Sequence, residues 1–309
     1  MSTSAILQII GACALLAIMP AAAWGYVFYR KQQEDRFHTI ITFAIGGLAV
    51  FPILLYKWLW KYFPNINVME YAKNFENDLI GISGFVMIPL SVIITFAFVG
   101  VIEEIMKMSV VHAADDDRIR HIDDAIMFSI LAALGFAFTE NILYFYNIWA
   151  KQGPDHLFVP FLFRSVFSTF AHVLFSSMFG YFYGIAHFAK PLLQEELRNN
   201  RHTFWDWYHR VFKFKTATLF HEQKMLEGLT IAVGLHAFYN IFLEMNWTFI
   251  MVPYLVIGYL YVSHLFRLKE NSKRLDLLFV EERNHNFGPK KIAAGFSRML
   301  KKITRKQDK

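Results

Sequence analysis

The chain is poor in cysteine and in charge. Of its 309 residues only Cys13 is a cysteine, which excludes an intramolecular disulfide and a zinc site built from cysteines. Charged residues make up 18% of the chain, below the roughly 25% of an ordinary soluble domain, and they are concentrated in the connectors and the C-terminal tail. The net charge of +6 therefore describes loops at a membrane surface, and we expect no nucleic-acid partner.

Hydrophobic residues, in contrast, make up 55% of the chain and occur in long runs. Several segments reach the roughly 20 residues that a helix needs to cross a bilayer. They are Ser4–Tyr29, His38–Trp60, Leu90–Val111, Asp124–Trp149, Phe158–Phe188, Leu226–Met245 and Thr248–Phe266. The sequence thus predicts an all-α bundle of seven transmembrane helices, that is, a multi-pass integral protein of the cell membrane. The shorter stretch Leu79–Met87, before Pro89, is predicted to be an interfacial or re-entrant lead-in, because proline ends helices.

Lysine and arginine are distributed unevenly over the connectors. Those after the first, third and fifth helices carry most of these cations, whereas those after the second, fourth and sixth carry only Lys61, Lys73 and Lys151. The positive-inside rule then predicts that the N-terminus lies outside the cell and the C-terminus in the cytoplasm.

The C-terminal region differs from the rest in composition. We divide the chain into a transmembrane domain, residues 1–266, with a motif core at 90–245, and a basic cytoplasmic tail, residues 267–309. Apolar residues recur at helical spacing in Lys290–Lys306, which predicts an amphipathic helix. This helix, together with the aromatic and cationic connector Phe204–Lys215, would bind the anionic inner leaflet.

The third apolar segment contains two adjacent acidic residues, Glu103 and Glu104. Glu103 lies about 20 Å along the helix from Leu90, past the middle of a ~30 Å hydrocarbon core. Lys107 is four residues after Glu103 and shares its helix face. One lysine cannot compensate two close carboxylates at this depth, so we expect them to share a proton or a cation. Because burying such groups is costly, the pair predicts a functional site.

The next three apolar segments carry further polar groups at depth. These are Glu140 with Asn141 on the fourth helix, His172 on the fifth, and His236 with Asn240 on the sixth. Four consecutive helices thus each present a polar group, as a catalytic or ion site between helices requires. Alone, each histidine could equally be a packing residue, and the two asparagines could simply bridge helices, so Lys107, Asn141 and Asn240 are treated as supporting residues.

The order of these motifs resembles the PrsW family of intramembrane proteases, within the larger group that includes the prenyl-protein (CAAX) endoproteases. The similar pattern is Glu103-Glu104-x-x-Lys107, Phe136-x-x-x-Glu140-Asn141, His172, and His236-x-x-x-Asn240, over about half of the chain. The resemblance implies hydrolysis of peptide bonds in membrane-tethered proteins, such as anti-sigma factors or other single-span signalling proteins. It further implies that Glu103, Glu104, Glu140, His172 and His236 are catalytic.

Two questions of mechanism stay open on the sequence. A carboxylate of the Glu103–Glu104 pair could take a proton from water without a metal, or Glu140, His172 and His236 could hold zinc with an open position for water. Two other functions also fit intramembrane acids and histidines. One is a proton- or ion-coupled transporter, although no internal repeat is detected. The other is a non-catalytic relative that binds membrane segments.

Overall fold

A computed structural model describes residues 2–29, 36–82, 86–115, 118–188 and 217–270. The first half contains α1 (Thr3–Tyr29), α2 (Arg36–Leu48), α3 (Phe51–Leu59), α4 (Val68–Ala72) and the strands β1 (Leu79–Ile82) and β2 (Val86–Pro89). The second half contains α5 (Leu90–Asp115), α6 (Ile122–Gln152), α7 (Phe158–Phe163), a π-helical turn (Arg164–Ser168), α8 (Thr169–His187), α9 (Ala217–Glu244) and α10 (Thr248–Glu270). Single 3-10 turns lie at Pro64–Ile66, Lys73–Phe75 and Pro154–His156.

Length and apolar composition make most of these helices suitable for crossing a membrane. Among the described residues, six segments meet both conditions: Thr3–Tyr26, Phe37–Leu59, Ile122–Gln152, Pro154–His187, Leu219–Glu244 and Thr248–Leu265. Helix α5 has 26 residues and is long enough, but it differs in carrying Glu103, Glu104 and Lys107 within its apolar sequence. The expectation of an all-α polytopic membrane protein is confirmed, while the count of seven and the orientation stay predictions.

Two segments differ locally from the sequence-based expectation. The run His38–Trp60 lies in two helices, because the chain turns at Ala49 and Val50. Pro52 stands in the first turn of α3, where a backbone donor has no partner within the helix. The stretch expected to be a lead-in forms an antiparallel hairpin in which Leu79 is opposite Pro89. Pairing lets the two strands satisfy each other's backbone groups, and Pro89 is tolerated because it stands at the strand end.

Helix α6 is the centre of the bundle. In its most apolar stretch of 18 residues, 72% of the residues are buried. It packs against α1, α2, α5 and α8, and α9 in turn packs against both α5 and α8. Small residues allow this close approach. A Cβ added at Gly180 of α8 would lie 2.7 Å from the Ile126 Cα atom of α6, and one at Gly47 of α2 would lie 2.9 Å from the Thr139 hydroxyl. The packing brings α5, α6, α8 and α9 around a common interior.

Two predicted membrane-surface segments lie outside the described residues: the connector Phe204–Lys215 and the amphipathic helix Lys290–Lys306. Helix α10 continues to Glu270, four residues beyond the predicted end at Phe266.

Candidate active site

Helix α5 brings three charged side chains into the bundle interior. Glu103, Glu104 and Lys107 are 8%, 3% and 3% exposed. The Lys107 ammonium donates to Glu104 Oε1 at 2.6 Å and lies 4.6 Å from the centre of the Phe136 ring of α6. The lysine is thus paired with Glu104, and the aromatic face adds a cation–π contact. Glu104 is the carboxylate whose negative charge is balanced within its own helix.

His236 of α9 contacts both acidic residues of α5. Its Nδ1 lies 2.7 Å from Glu104 Oε1, and its Nε2 lies 3.5 Å from Glu103 Oε2. Because Glu104 is ion-paired with Lys107, its carboxylate accepts, and His236 Nδ1 must carry the hydrogen that it donates. This leaves His236 Nε2 facing Glu103. A histidine held by a carboxylate in this way presents its second nitrogen in a fixed direction.

His172 of α8 is held from two sides. Lys107 Nζ lies 3.0 Å from His172 Nδ1, and Glu140 Oε2 lies 3.0 Å from His172 Nε2. An ammonium can only donate, so Nδ1 accepts and Nε2 carries the hydrogen donated to Glu140. The two imidazole rings stand nearly perpendicular, at 88°, with their centres 5.3 Å apart. Lys107 therefore links the α5 acids to the α8 histidine.

Glu103 is the carboxylate with a free oxygen. Among the described residues, its Oε2 is buried and makes no hydrogen bond. One donor atom each from Glu103, His172 and His236 lies within 4.8 Å of the others, and all three residues are buried. Two imidazoles and one carboxylate are a donor set that binds zinc in catalytic sites. The structure thus groups Glu103 with the histidines, whereas the sequence analysis grouped Glu140 with them.

Glu140 is arranged differently from the α5 acids. Its side chain is 32% exposed, and its Oε2 makes an ion pair of 2.6 Å with Arg164 Nη2 in addition to the His172 contact. Arg164 and His172 thus both contact Oε2, the carboxylate oxygen of Glu140 that faces the site. The more exposed position also makes Glu140 the acidic residue of this cluster with the greatest access to the outside of the bundle.

The supporting asparagines have separate environments. Asn141 is 1% exposed. It donates from Nδ2 to the Thr169 hydroxyl at 3.3 Å and accepts at Oδ1 from Arg164 Nε. Asn240 is half-buried, one helical turn after His236 on α9. Asn141 therefore ties α6 to α8 directly beside Glu140.

Sequence reasoning missed Arg164 and Thr169. Arg164 contacts both Glu140 and Asn141, and Thr169 completes the hydrogen bonds around Asn141. A signal for Arg164 was present, since it is a cation inside the apolar segment Phe158–Phe188 and charged residues at such depth mark functional sites. Thr169 has no such signal, because threonine is common in transmembrane helices.

The fold and the buried acid–histidine cluster define the class of the protein: a polytopic membrane protein with a polar centre between its helices. Residues 34–265 match the model of the PrsW family intramembrane metalloproteases. The chain belongs to this family, and it is an intramembrane endopeptidase and a multi-pass integral protein of the cell membrane. The expected family, enzyme class and localisation are thereby confirmed. The substrate is a membrane protein, which the enzyme meets within the bilayer.

Several curated proteins are similar over most of their length. Protease PrsW of Oceanobacillus iheyensis is 26% identical over 264 residues, which cover 83% of this chain and 94% of the relative. Protease PrsW of Shouchella clausii is 25% identical over 84% of this chain and 96% of its own. Protease PrsW of Bacillus subtilis is 24% identical over 77% of this chain and 87% of its own length. No solved structure is significantly similar to the chain.

Proposed function

We propose that Glu103, Glu104, Glu140, His172 and His236 form the hydrolytic centre of this intramembrane protease. The observation that carries the proposal is the free, buried Oε2 of Glu103 beside two histidines from other helices. Water is a poor nucleophile until a base takes its proton, and that base must be within hydrogen-bond reach. Glu103 Oε2 is a buried acceptor of this cluster that makes no hydrogen bond among the described residues, and this supports a direct role at the reacting water.

The other residues of the cluster would then hold this centre in place. Glu104 accepts from both Lys107 and His236, which supports an orienting role for this acid. Glu140 accepts from His172 and so orients the second imidazole. Lys107, Asn141 and Asn240 are proposed as supporting residues. Preorganised groups of this kind lower the barrier because they need no rearrangement during the reaction.

A zinc ion is the metal that these donors fit. In this alternative to the metal-free base, Glu103, His172 and His236 would hold the ion, with Glu103 Oε2 as a ligand and not as the acceptor of the water proton. Zinc bound there would lower the pKa of a coordinated water towards neutral. His236 has one nitrogen free for this purpose, whereas binding through His172 requires its contact with Lys107 or with Glu140 to open.

The substrates that we propose are single-span signalling proteins, anti-sigma factors among them, which the resemblance of the motifs to the PrsW family supports. The charge bias of the connectors supports an N-terminus outside the cell. The basic tail, residues 267–309, would then contact the anionic inner leaflet.

Membrane vesicles from cells that contain the wild-type chain provide the test. New protein N-termini, read by mass spectrometry, should arise inside or next to single transmembrane helices. They should disappear with Glu103→Ala, Glu104→Ala and His236→Ala. A matched control is Glu227→Gln, which removes an acid from the Lys224–Glu227 ion pair on the helix that carries His236, and it should leave cleavage unchanged.

The outcomes separate the alternatives. Full cleavage by all three site variants would show that the site is misassigned. Proton or ion flux in proteoliposomes without new N-termini would support a transporter instead. Single-span proteins that bind but are not cut would indicate a non-catalytic relative.

A further inference from the structure

Arg164 occupies an unusual position for a cation. It lies inside the apolar segment Pro154–His187, directly after Phe163, and its side chain is only 11% exposed. A guanidinium at this depth is costly unless it is paired, and intramembrane cations are therefore rarely placed without a role. The partners of Arg164 indicate what that role is.

All the contacts of this guanidinium that the structure describes fall on one face of α6. Nη2 lies 2.6 Å from Glu140 Oε2, Nε donates to Asn141 Oδ1, and the guanidinium carbon lies 4.5 Å from the centre of the Tyr144 ring. Arginine is suited to this because its guanidinium can pair with a carboxylate, donate from Nε to an amide oxygen and lie over an aromatic ring at the same time. Lysine, a point charge, could not reproduce these contacts together.

The backbone around Arg164 is specialised as well. Residues Arg164–Ser168 form a π-helical turn, a feature that is often found at functional sites. The Arg164 carbonyl accepts from both the backbone N–H and the hydroxyl of Thr169, the latter at 2.9 Å. Trp24 Nε1 donates to the Ser165 carbonyl at 3.2 Å. Because Asn141 donates to Thr169, a closed ring of hydrogen bonds runs through Arg164, Asn141 and Thr169.

We infer that Arg164 is a positioning residue that holds Glu140 as the hydrogen-bond acceptor for His172. Glu140 is the acid of the cluster with an exposed side chain, 32%, and without its partner it could turn outward. His172 would then lose the acceptor of its Nε2 hydrogen, and its ring orientation would no longer be fixed from the α6 side. The inference rests on the proposed hydrolytic centre, which it extends to a residue that does not touch the reacting water.

The test uses purified full-length protein in liposomes and a synthetic transmembrane peptide. The peptide carries the strongest cleavage sequence found in the vesicle experiment, with a fluorophore and a quencher on opposite sides. We expect Arg164→Gln to lower kcat about 100-fold, because small displacements of catalytic groups have effects of this order, with KM changed less than threefold. Arg164→Lys keeps the positive charge but not the planar guanidinium. Its kcat should be about tenfold higher than that of Arg164→Gln.

A double-mutant cycle separates positioning from simple helix bridging. If Arg164 acts through Glu140, the Arg164→Gln/Glu140→Gln double variant should be no slower than Glu140→Gln alone. Lys224→Gln, which removes a cation from another ion pair, should keep wild-type kcat. Independent, multiplicative losses in the cycle, or an unchanged kcat in Arg164→Gln, would overturn the inference while wild-type cleavage stands. Absence of wild-type cleavage would instead overturn the proposed function.

Discussion

Helix α5 carries two buried acid–histidine clusters that differ in how many helices build them. The first is the candidate active site around Glu103 and Glu104. The second lies about 16 Å further along the helix and consists of Asp115, which is fully buried, with His38 and Thr42 of α2. His38 Nε2 lies 2.6 Å from Asp115 Oδ1, and the Thr42 hydroxyl donates to the same oxygen at 2.7 Å. We call this second cluster the α2–α5 latch.

A buried oxygen without a partner does not distinguish the two clusters. Asp115 Oδ2 makes no hydrogen bond among the described residues, like Glu103 Oε2. The difference is in the neighbours. Glu103 lies beside two histidines from α8 and α9, whereas the acid in the latch contacts one histidine and one hydroxyl from a single helix.

Both clusters bury an acid. The candidate active site differs because polar side chains from several helices converge there. One acid and one histidine form a pair that joins two helices. Three acids, two histidines and a lysine from four helices instead bring several groups together that could act on one water or one metal ion.

Replacing Glu103 by glutamine should reduce cleavage of a transmembrane peptide by about 1,000-fold or more, because the proposed acceptor of the water proton is lost. The change keeps the side-chain size, so the thermal unfolding transition in detergent should move little. The rate and the transition are measured on the same preparation, with Glu227→Gln as the matched acid-to-amide control. Cleavage within threefold of wild type would contradict the role of Glu103.

Removing bound metal should lower the cleavage activity of the candidate active site and leave the α2–α5 latch unchanged. We expect purified protein to contain about one zinc per chain by elemental analysis, in line with a single three-ligand site. Chelation should remove zinc and activity together, and added zinc should restore both. Full activity in protein shown to be free of metal would exclude zinc and leave Glu103 acting as a base alone.

Asp115→Asn should weaken the fold without altering chemistry. The variant loses the charge that holds His38 and Thr42, and we expect the free energy of unfolding to fall by about 1–3 kcal/mol. The kcat of the folded protein should stay within twofold of wild type, because Asp115 lies outside the proposed centre. A loss of kcat as large as that of Glu103→Gln would show that the two clusters act together.

Thr42→Val should have the smallest effect of the series. It removes one neutral donor from Asp115 while the His38 contact remains, so the expected loss in unfolding free energy is about 1 kcal/mol. Denaturant titration in detergent can detect this difference against wild type. A loss greater than that of Asp115→Asn would mean that the hydroxyl, and not the His38–Asp115 pair, holds the latch together.

Much of the fold could be predicted because membrane solvation leaves a strong pattern in sequence. Long apolar runs predicted where the helices lie, since every backbone group in a bilayer must be paired within the segment. Acids and histidines inside those runs indicated the participants of the site, because such residues are costly there. Glu103, Glu104, Lys107, His172 and His236 do lie together in the structure.

Other features depended on contacts that no local pattern reveals. The pairing of β1 and β2 was not expected, because each strand is only four residues long and the stretch was predicted as a lead-in. The role of Arg164 was not anticipated, since its partners Glu140 and Asn141 are more than twenty residues away in the chain. Glu103 was expected in the same site as the histidines, but Glu140 was expected in its place as their partner in a possible metal site.

The sequence by itself determined the class of the protein and predicted the polar residues that meet inside the bundle, because hydrophobic runs and buried charges are properties of each segment. Only the tertiary structure decided which residues meet. Helices α5 and α6 are apolar almost all round, so their composition does not indicate which face turns inward. Close packing at small residues contributes to that choice: Gly100 of α5 meets the Val233 carbonyl of α9, and Gly180 of α8 meets Ile126 of α6. In the resulting arrangement Glu103 lies beside the histidines and Glu140 beside Arg164.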